Sequence, residues 1–191
     1  MIRLIAALAL CAIAAAALAG CAGTGAPPPD QPSFYQSMAQ PDVTVDAAAA
    51  ASMISGYRRN NGLGVVTLDD HLMRMAEEQA RAMASKNRFE HDAGGPFDQR
   101  VKRSGYDAKI AVENIGAGYH TLAEAFSGWR DSPGHRANML NPVVTRMGIA
   151  AVYAPGSKYK VFWALILASP NERQNDQQNP GVWPFMVLPP T

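Results

Sequence analysis

Along residues 47–168 the apolar positions first recur at helical spacing and later alternate. Ala47 to Asn60 is rich in helix formers and ends at Asn60-Asn61-Gly62, a left-handed stop signal. Leu72, Met75, Ala76, Ala80, Met83 and Ala84 then fall on one face of a helix that runs to about Lys86, with Thr67 as its capping hydroxyl and Asp69 and Asp70 in its acidic first turn. The methionines of this stripe read as core filler rather than as a ligand groove, because a thioether chain fits irregular interior space. A further helix is predicted from Thr121 to Trp129. Strands are predicted at Met147–Tyr153 and Tyr159–Leu167, joined by a turn at Ala154-Pro155-Gly156-Ser157, with one more from Ala111 to Gly118. Helices followed by a small antiparallel sheet with one inserted helix predict a layered α+β fold.

The two ends lack this periodicity. Met1-Ile2-Arg3 precedes an uncharged apolar run, the layout of a secretory signal over residues 1–20. Leu18-Ala19-Gly20-Cys21 resembles the lipobox of bacterial lipoproteins, which implies cleavage before Cys21 and acylation of that cysteine, with a location on the periplasmic side of an outer membrane. Leu4 to Ala22 is also just long enough to span a bilayer, but ten of its 19 residues are alanine, which weakens that reading. Residues 21–46 hold five prolines and read as an extended tether; residues 169–191 repeat that character as a polar, proline-rich tail. In the tail, Trp183, Phe185, Met186 and Leu188 are apolar enough to dock on the domain.

Charge and cysteine content narrow the chemistry. A net charge of +1 over 191 residues provides no basic field for nucleic acid. Both cysteines, Cys11 and Cys21, precede the folded unit, so neither a disulfide framework nor a cysteine-ligated zinc site is available to it.

Four histidines remain. His71 and His120 read as solvent-facing and receive no role. His91 follows Phe89-Glu90 and precedes Gly94-Gly95-Pro96, a loop free to aim the ring into a cleft or simply to leave it on the surface. His135 lies in Ser132-Pro133-Gly134-His135, where Ser132 reads as an N-cap, Pro133 suits the first helical position and Asn141-Pro142 ends the helix. The helix start favours a neutral imidazole there, able to bind a metal or accept a proton. Glu113, among Ala111, Val112 and Ile115, is either a buried carboxylate needing an imidazole or cation partner, or an outward residue of an edge strand. Arg136 reads as solvated, Asn138 as bonded to the neighbouring loop, and Trp129 and Trp163 as core aromatics.

As a set, Gly62-Leu63, Leu68-Asp69, Phe89-Glu90-His91, Arg100 before Gly105-Tyr106, Glu113-Asn114-Ile115, Trp129-x-x-Ser-Pro-Gly-His135-Arg-x-Asn138 and Gly148 occur in one order. This order resembles the CAP superfamily of cysteine-rich secretory, antigen 5 and pathogenesis-related 1 proteins, in its bacterial Ser-Pro-Gly-His branch. The resemblance covers roughly residues 50–167. It implies a three-layer α-β-α sandwich with a cleft where two histidines, here His91 and His135, meet acidic residues, the first being Glu113. The second acid departs from the pattern: Asp131 or Ser132 occupies its place and Glu124 lies upstream.

Three functional readings follow. A cleft of His91, Glu113, Asn114, Asp131, Ser132 and His135 is expected to bind a lipid, a peptide or a peptidoglycan-derived ligand. Two neutral imidazoles and Glu113 also have the composition of a three-ligand zinc site. A hydrolase would use His91, Glu113 and His135 with a metal-bound water, or Ser132 beside His135, although a capping role already accounts for Ser132. A structural protein would keep the same residues as a buried polar network.

Overall fold

The structure is a computed structural model and describes residues 31–171. The leader, Cys21 and the tail beyond residue 171 lie outside the described residues. The chain forms α1 (Ala47–Asn60), β1 (Thr67–Leu68), α2 (Asp70–Lys86), α3 (Phe97–Arg103), β2 (Ala108–Ala117), α4 (Leu122–Asp131), α5 (Pro133–Met139), β3 (Arg146–Ala154) and β4 (Lys160–Pro170). α1 begins and ends where its composition predicts. α4 starts one residue after Thr121, which closes a capping box with Glu124.

Two local readings are corrected by long-range pairing. Thr67 does not cap α2: its N–H donates to Thr145 O at 3.0 Å as part of β1, and Asp69 takes the capping role, accepting from the His71 and Leu72 amides. That parallel pairing of β1 with β3 also makes the sheet mixed rather than purely antiparallel, in the order β1-β3-β4-β2. α3, which the Gly94-Gly95-Pro96 loop concealed, starts directly after Pro96.

Alternation along β3 and β4 divides the core in two. Met147, Ile149, Trp163 and Leu165 pack under α1, α4 and α5, whereas Ala150, Phe162, Ala164 and Ile166 pack under α2 with Leu72, Met75 and Met83. The methionine stripe is therefore core, and a central strand apolar on both faces is what two helical layers require. α2 approaches the sheet so closely that any side chain at Gly148 would strike the Leu72 backbone.

The segment read as a tether is in part folded. Met38 is buried in the first core cluster, with Phe34, Val43 and Val45 packed against it, and its N–H donates to His120 O at 2.6 Å. Proline content concealed this docking because the contacts join residues far apart in sequence. Arg58, also buried, donates to Gly64 O in the loop that follows α1 and to the carbonyls of Met139, Asn141 and Val144, fastening the end of α1 to the α5–β3 connection at 2.7–3.1 Å.

Candidate functional site

β2 is an outer strand of the sheet, and its alternation sends Glu113 to the α2–α3 side and Asn114 to the α4–α5 side. The Glu113 carboxylate is buried, 3% exposed, and both oxygens are occupied. Oε1 lies 2.9 Å from His91 Nδ1, and Oε2 accepts from Arg100 Nη2 at 2.7 Å. Arg100, with a side chain 1% exposed, also donates to His91 O at 3.0 Å and Gly95 O at 3.0 Å, so one guanidinium holds both the acid and the loop that carries the histidine. Gln79 on α2 adds donations to Glu90 O and His91 O and accepts from the Gly94 amide. The His91 side chain itself remains 58% exposed. A carboxylate can only accept, so Nδ1–H donates to it and the ring is held in one orientation.

On the other side, Asn114 is buried and donates to His135 O at 3.0 Å, and Asn138 donates to Glu113 O at 3.1 Å and Asn114 Oδ1 at 2.9 Å. Asn138 thus ties α5 to β2 rather than to a neighbouring loop. These bonds bring the half-buried His135 over the strand edge. Burial first, and then the charge of His91, hold the His135 ring below the ordinary histidine value, so it is neutral at neutral pH. The helix start predicts the same direction, but the causes in the structure are desolvation and the second histidine.

Other expected residues are placed elsewhere or differently. The Asp131 carboxylate pairs with Arg130 at 2.8 Å on the surface, which lowers its pKa, and Glu124 accepts from the His120 and Thr121 amides. Neither joins Glu113. Ser132 occupies the N-cap position of α5, but its side chain makes no capping hydrogen bond. His71 is not solvent-facing: it is half-buried, with Nδ1 3.1 Å from Ser104 O. Arg136 is exposed, as expected.

Among the described residues no three His, Cys, Asp or Glu side chains are grouped to hold an ion. Glu113 is unsuited to a dication because a buried guanidinium already sits on its carboxylate. Arg100 and Gln79 are the residues that sequence reasoning left without a role. Arg100 had entered only as part of the family pattern, and no local signal marks a buried guanidinium.

A cavity of about 770 Å³ shares no residue with this cluster; it lies along β3 between α2 and the 40–45 segment. Among the described residues no helix is long and apolar enough to cross a membrane.

Residues 51–167 match the family model described as the cysteine-rich secretory protein family. The chain is 33% identical over 137 residues to the uncharacterized protein YkwD of Bacillus subtilis, covering 64% of this chain and 53% of that one. It therefore spans about half the length of the curated relative it matches. An extracellular protein containing an SCP domain from Bacillus anthracis is similar at 25% identity with a TM-score of 0.56, over 63% of this chain and 39% of the other. An outer surface protein from Borrelia burgdorferi shares the fold at 19% identity and a TM-score of 0.60, over 66% of this chain and 93% of the other.

Proposed function

Because this chain belongs to the cysteine-rich secretory protein family, and relatives of this domain include extracellular proteins, we propose that it is a lipid-anchored bacterial envelope protein that binds a ligand at its His/Glu site without catalysing a reaction. The observation that carries this reading is the relay from Arg100 through Glu113 to His91. A buried ion pair fixes the half-exposed His91 ring, and the half-buried His135, held below the ordinary histidine value first by burial and then by His91, is close enough to feel it. Two oriented imidazoles can donate to or accept from a peptide, a lipid headgroup or a peptidoglycan fragment. Anchoring is supported by the lipobox-like Leu18-Ala19-Gly20-Cys21, with acyl chains holding the protein at the membrane.

Titration of the purified full-length protein with zinc chloride, phospholipid vesicles and soluble peptidoglycan fragments tests the binding. The expected result is binding of at least one probe, weakened tenfold or more in His91→Ala and His135→Ala at unchanged melting temperature. Failure of all three probes, or binding indifferent to both substitutions, overturns the reading. Cys21→Ser is expected to release the protein from the membrane fraction.

A hydrolase remains a second reading, favoured by one observation: the Ser132 hydroxyl, three residues before His135, makes no capping hydrogen bond. Turnover of a peptide or ester that vanishes in Ser132→Ala would establish it over the binding reading.

A further inference from the structure

The 770 Å³ cavity has a sheet edge for its floor and two walls of unlike charge. β1 covers only Arg146 and Met147 of β3, so from Gly148 onward the outer side of β3 has no strand beside it. The Ile149 N–H meets the Met73 Sδ at 3.3 Å, a weak acceptor. By alternation, the outward backbone groups that follow belong to Ala151 and Tyr153, and among the described residues they have no hydrogen-bond partner. α2 closes the cavity on the side of the Leu72 and Met75 cluster. Residues 40–45, packed through Val43 and Val45 against the other cluster, close it on the opposite side.

The α2 wall carries Arg74, Glu77 and Arg81. Glu77 is taken by Arg81 at 2.5 Å, one helical turn on, which leaves the exposed Arg74 guanidinium without a partner among the described residues. On the facing wall the exposed Asp42 carboxylate is likewise unpartnered. The slot thus offers one free cation and one free anion on opposite sides of an open backbone edge.

Outward N–H and C=O groups on alternate residues of a strand recur about every 7 Å, a repeat that an extended peptide backbone matches and an isolated headgroup or ion does not. In an added strand successive side chains point to opposite faces, here one toward α2 and the next toward residues 40–45. A carboxylate would then face Arg74 while a cationic side chain on the neighbouring position faces Asp42. A second copy cannot pair through the same edge, because that edge is recessed between the same two walls.

We propose that this slot binds an extended segment of a partner protein as an added strand on β3, selecting one with an acidic and a basic side chain on adjacent positions. Main-chain bonds to Ala151 and Tyr153 hold the segment, and the two walls choose its sequence. The site shares no residue with the histidine cluster, so binding at either one is measured independently of the other.

The test uses the purified full-length protein and short peptides of valine and threonine, capped at both ends. At their two central positions they carry glutamate and lysine, two glutamates, or two lysines. The mixed peptide is expected to bind roughly tenfold more tightly than either other and to slow exchange of the Ala151 and Tyr153 amides, with the Leu165 amide unchanged. Arg74→Glu should make the two-lysine peptide the tightest. Asp42→Asn, which keeps a residue tolerant of the positive φ of 59° there, should bring the two-glutamate peptide level with the mixed one. Binding of no peptide, binding without slowed Ala151 and Tyr153 exchange, or a ranking unmoved by both substitutions overturns the proposal. So does protection of those amides before any peptide is added; if it rises with protein concentration, the occupant is a second copy.

Discussion

Strand β2 and the part of β3 that runs beyond β1 are met in opposite ways by the described residues. Along β2, the carbonyls of Glu113 and Ile115 are closed by side chains of the neighbouring helices: Asn138 donates to the first at 3.1 Å and Trp129 Nε1 to the second at 2.9 Å. Along β3, beyond the two residues paired with β1, the only described contact to an outward backbone group is the Met73 sulfur. The sealed edge is the one that carries the histidines. One sealing bond also positions, since Asn138 closes Glu113 O and bonds Asn114, which in turn donates to His135 O. An edge closed by side chains gains rigidity where a binding geometry must be kept, whereas an edge closed by a weak acceptor can still receive a strand.

The largest effect on this contrast should come from the ion pair beneath the sealed edge. Arg100→Met leaves the Glu113 carboxylate buried without its cation and is expected to cost about 3–5 kcal/mol in denaturant unfolding. Adding Glu113→Gln should return about 1–3 kcal/mol of that, the signature of direct coupling. Asn138→Ala comes next. It strands Glu113 O and Asn114 Oδ1, for an expected loss of about 1–3 kcal/mol, and should loosen His135, visible as faster amide exchange along α5. At the other edge Met73→Leu exchanges a thioether for an alkyl chain of similar volume and should cost under about 1 kcal/mol, so a larger loss there would erase the asymmetry.

The smallest expected effect is on pH dependence. His135 is held below the ordinary histidine value in the folded protein, so on acidification the unfolded chain takes up its proton first. This contribution to stability is complete above about pH 6.5, the unfolded value, and is lost as pH falls toward the lower folded value. Replacing His91 by Gln removes only the lesser of the two causes; NMR titration of His135 should show a partial rise toward the ordinary value.

Much of the helical layer was legible locally. Ala47–Asn60 carries its own stop, Thr121 and Glu124 form a capping box within four residues, and Pro133 opens α5, because each of these signals is a contact between near neighbours. Local signals failed where a distant segment competed for the same group. Thr67 and Asp69 can each cap α2, and the choice fell to Asp69 because β3 takes the Thr67 amide. Met38 sits among prolines with no periodic neighbour, yet it is buried beside a core assembled from later helices. The family pattern grouped His91, Glu113 and His135 without giving their roles. Glu113 orients a ring and answers a guanidinium, and neither relation is written in the residues around it.

By itself the sequence determined the periods and most of the caps and stops of the longer helices and strands, and that they form an α+β domain, but not α3, β1 or the docked segment around Met38. The features so determined depend on backbone geometry within a few residues. Tertiary structure alone decided which carboxylate oxygen meets which cation, that β1 makes the sheet mixed, and, among the described residues, that helix side chains close β2 carbonyls while β3 beyond Met147 meets only a methionine sulfur. These depend on groups that only the folded chain brings within hydrogen-bonding distance, where burial removes the water that would otherwise satisfy them.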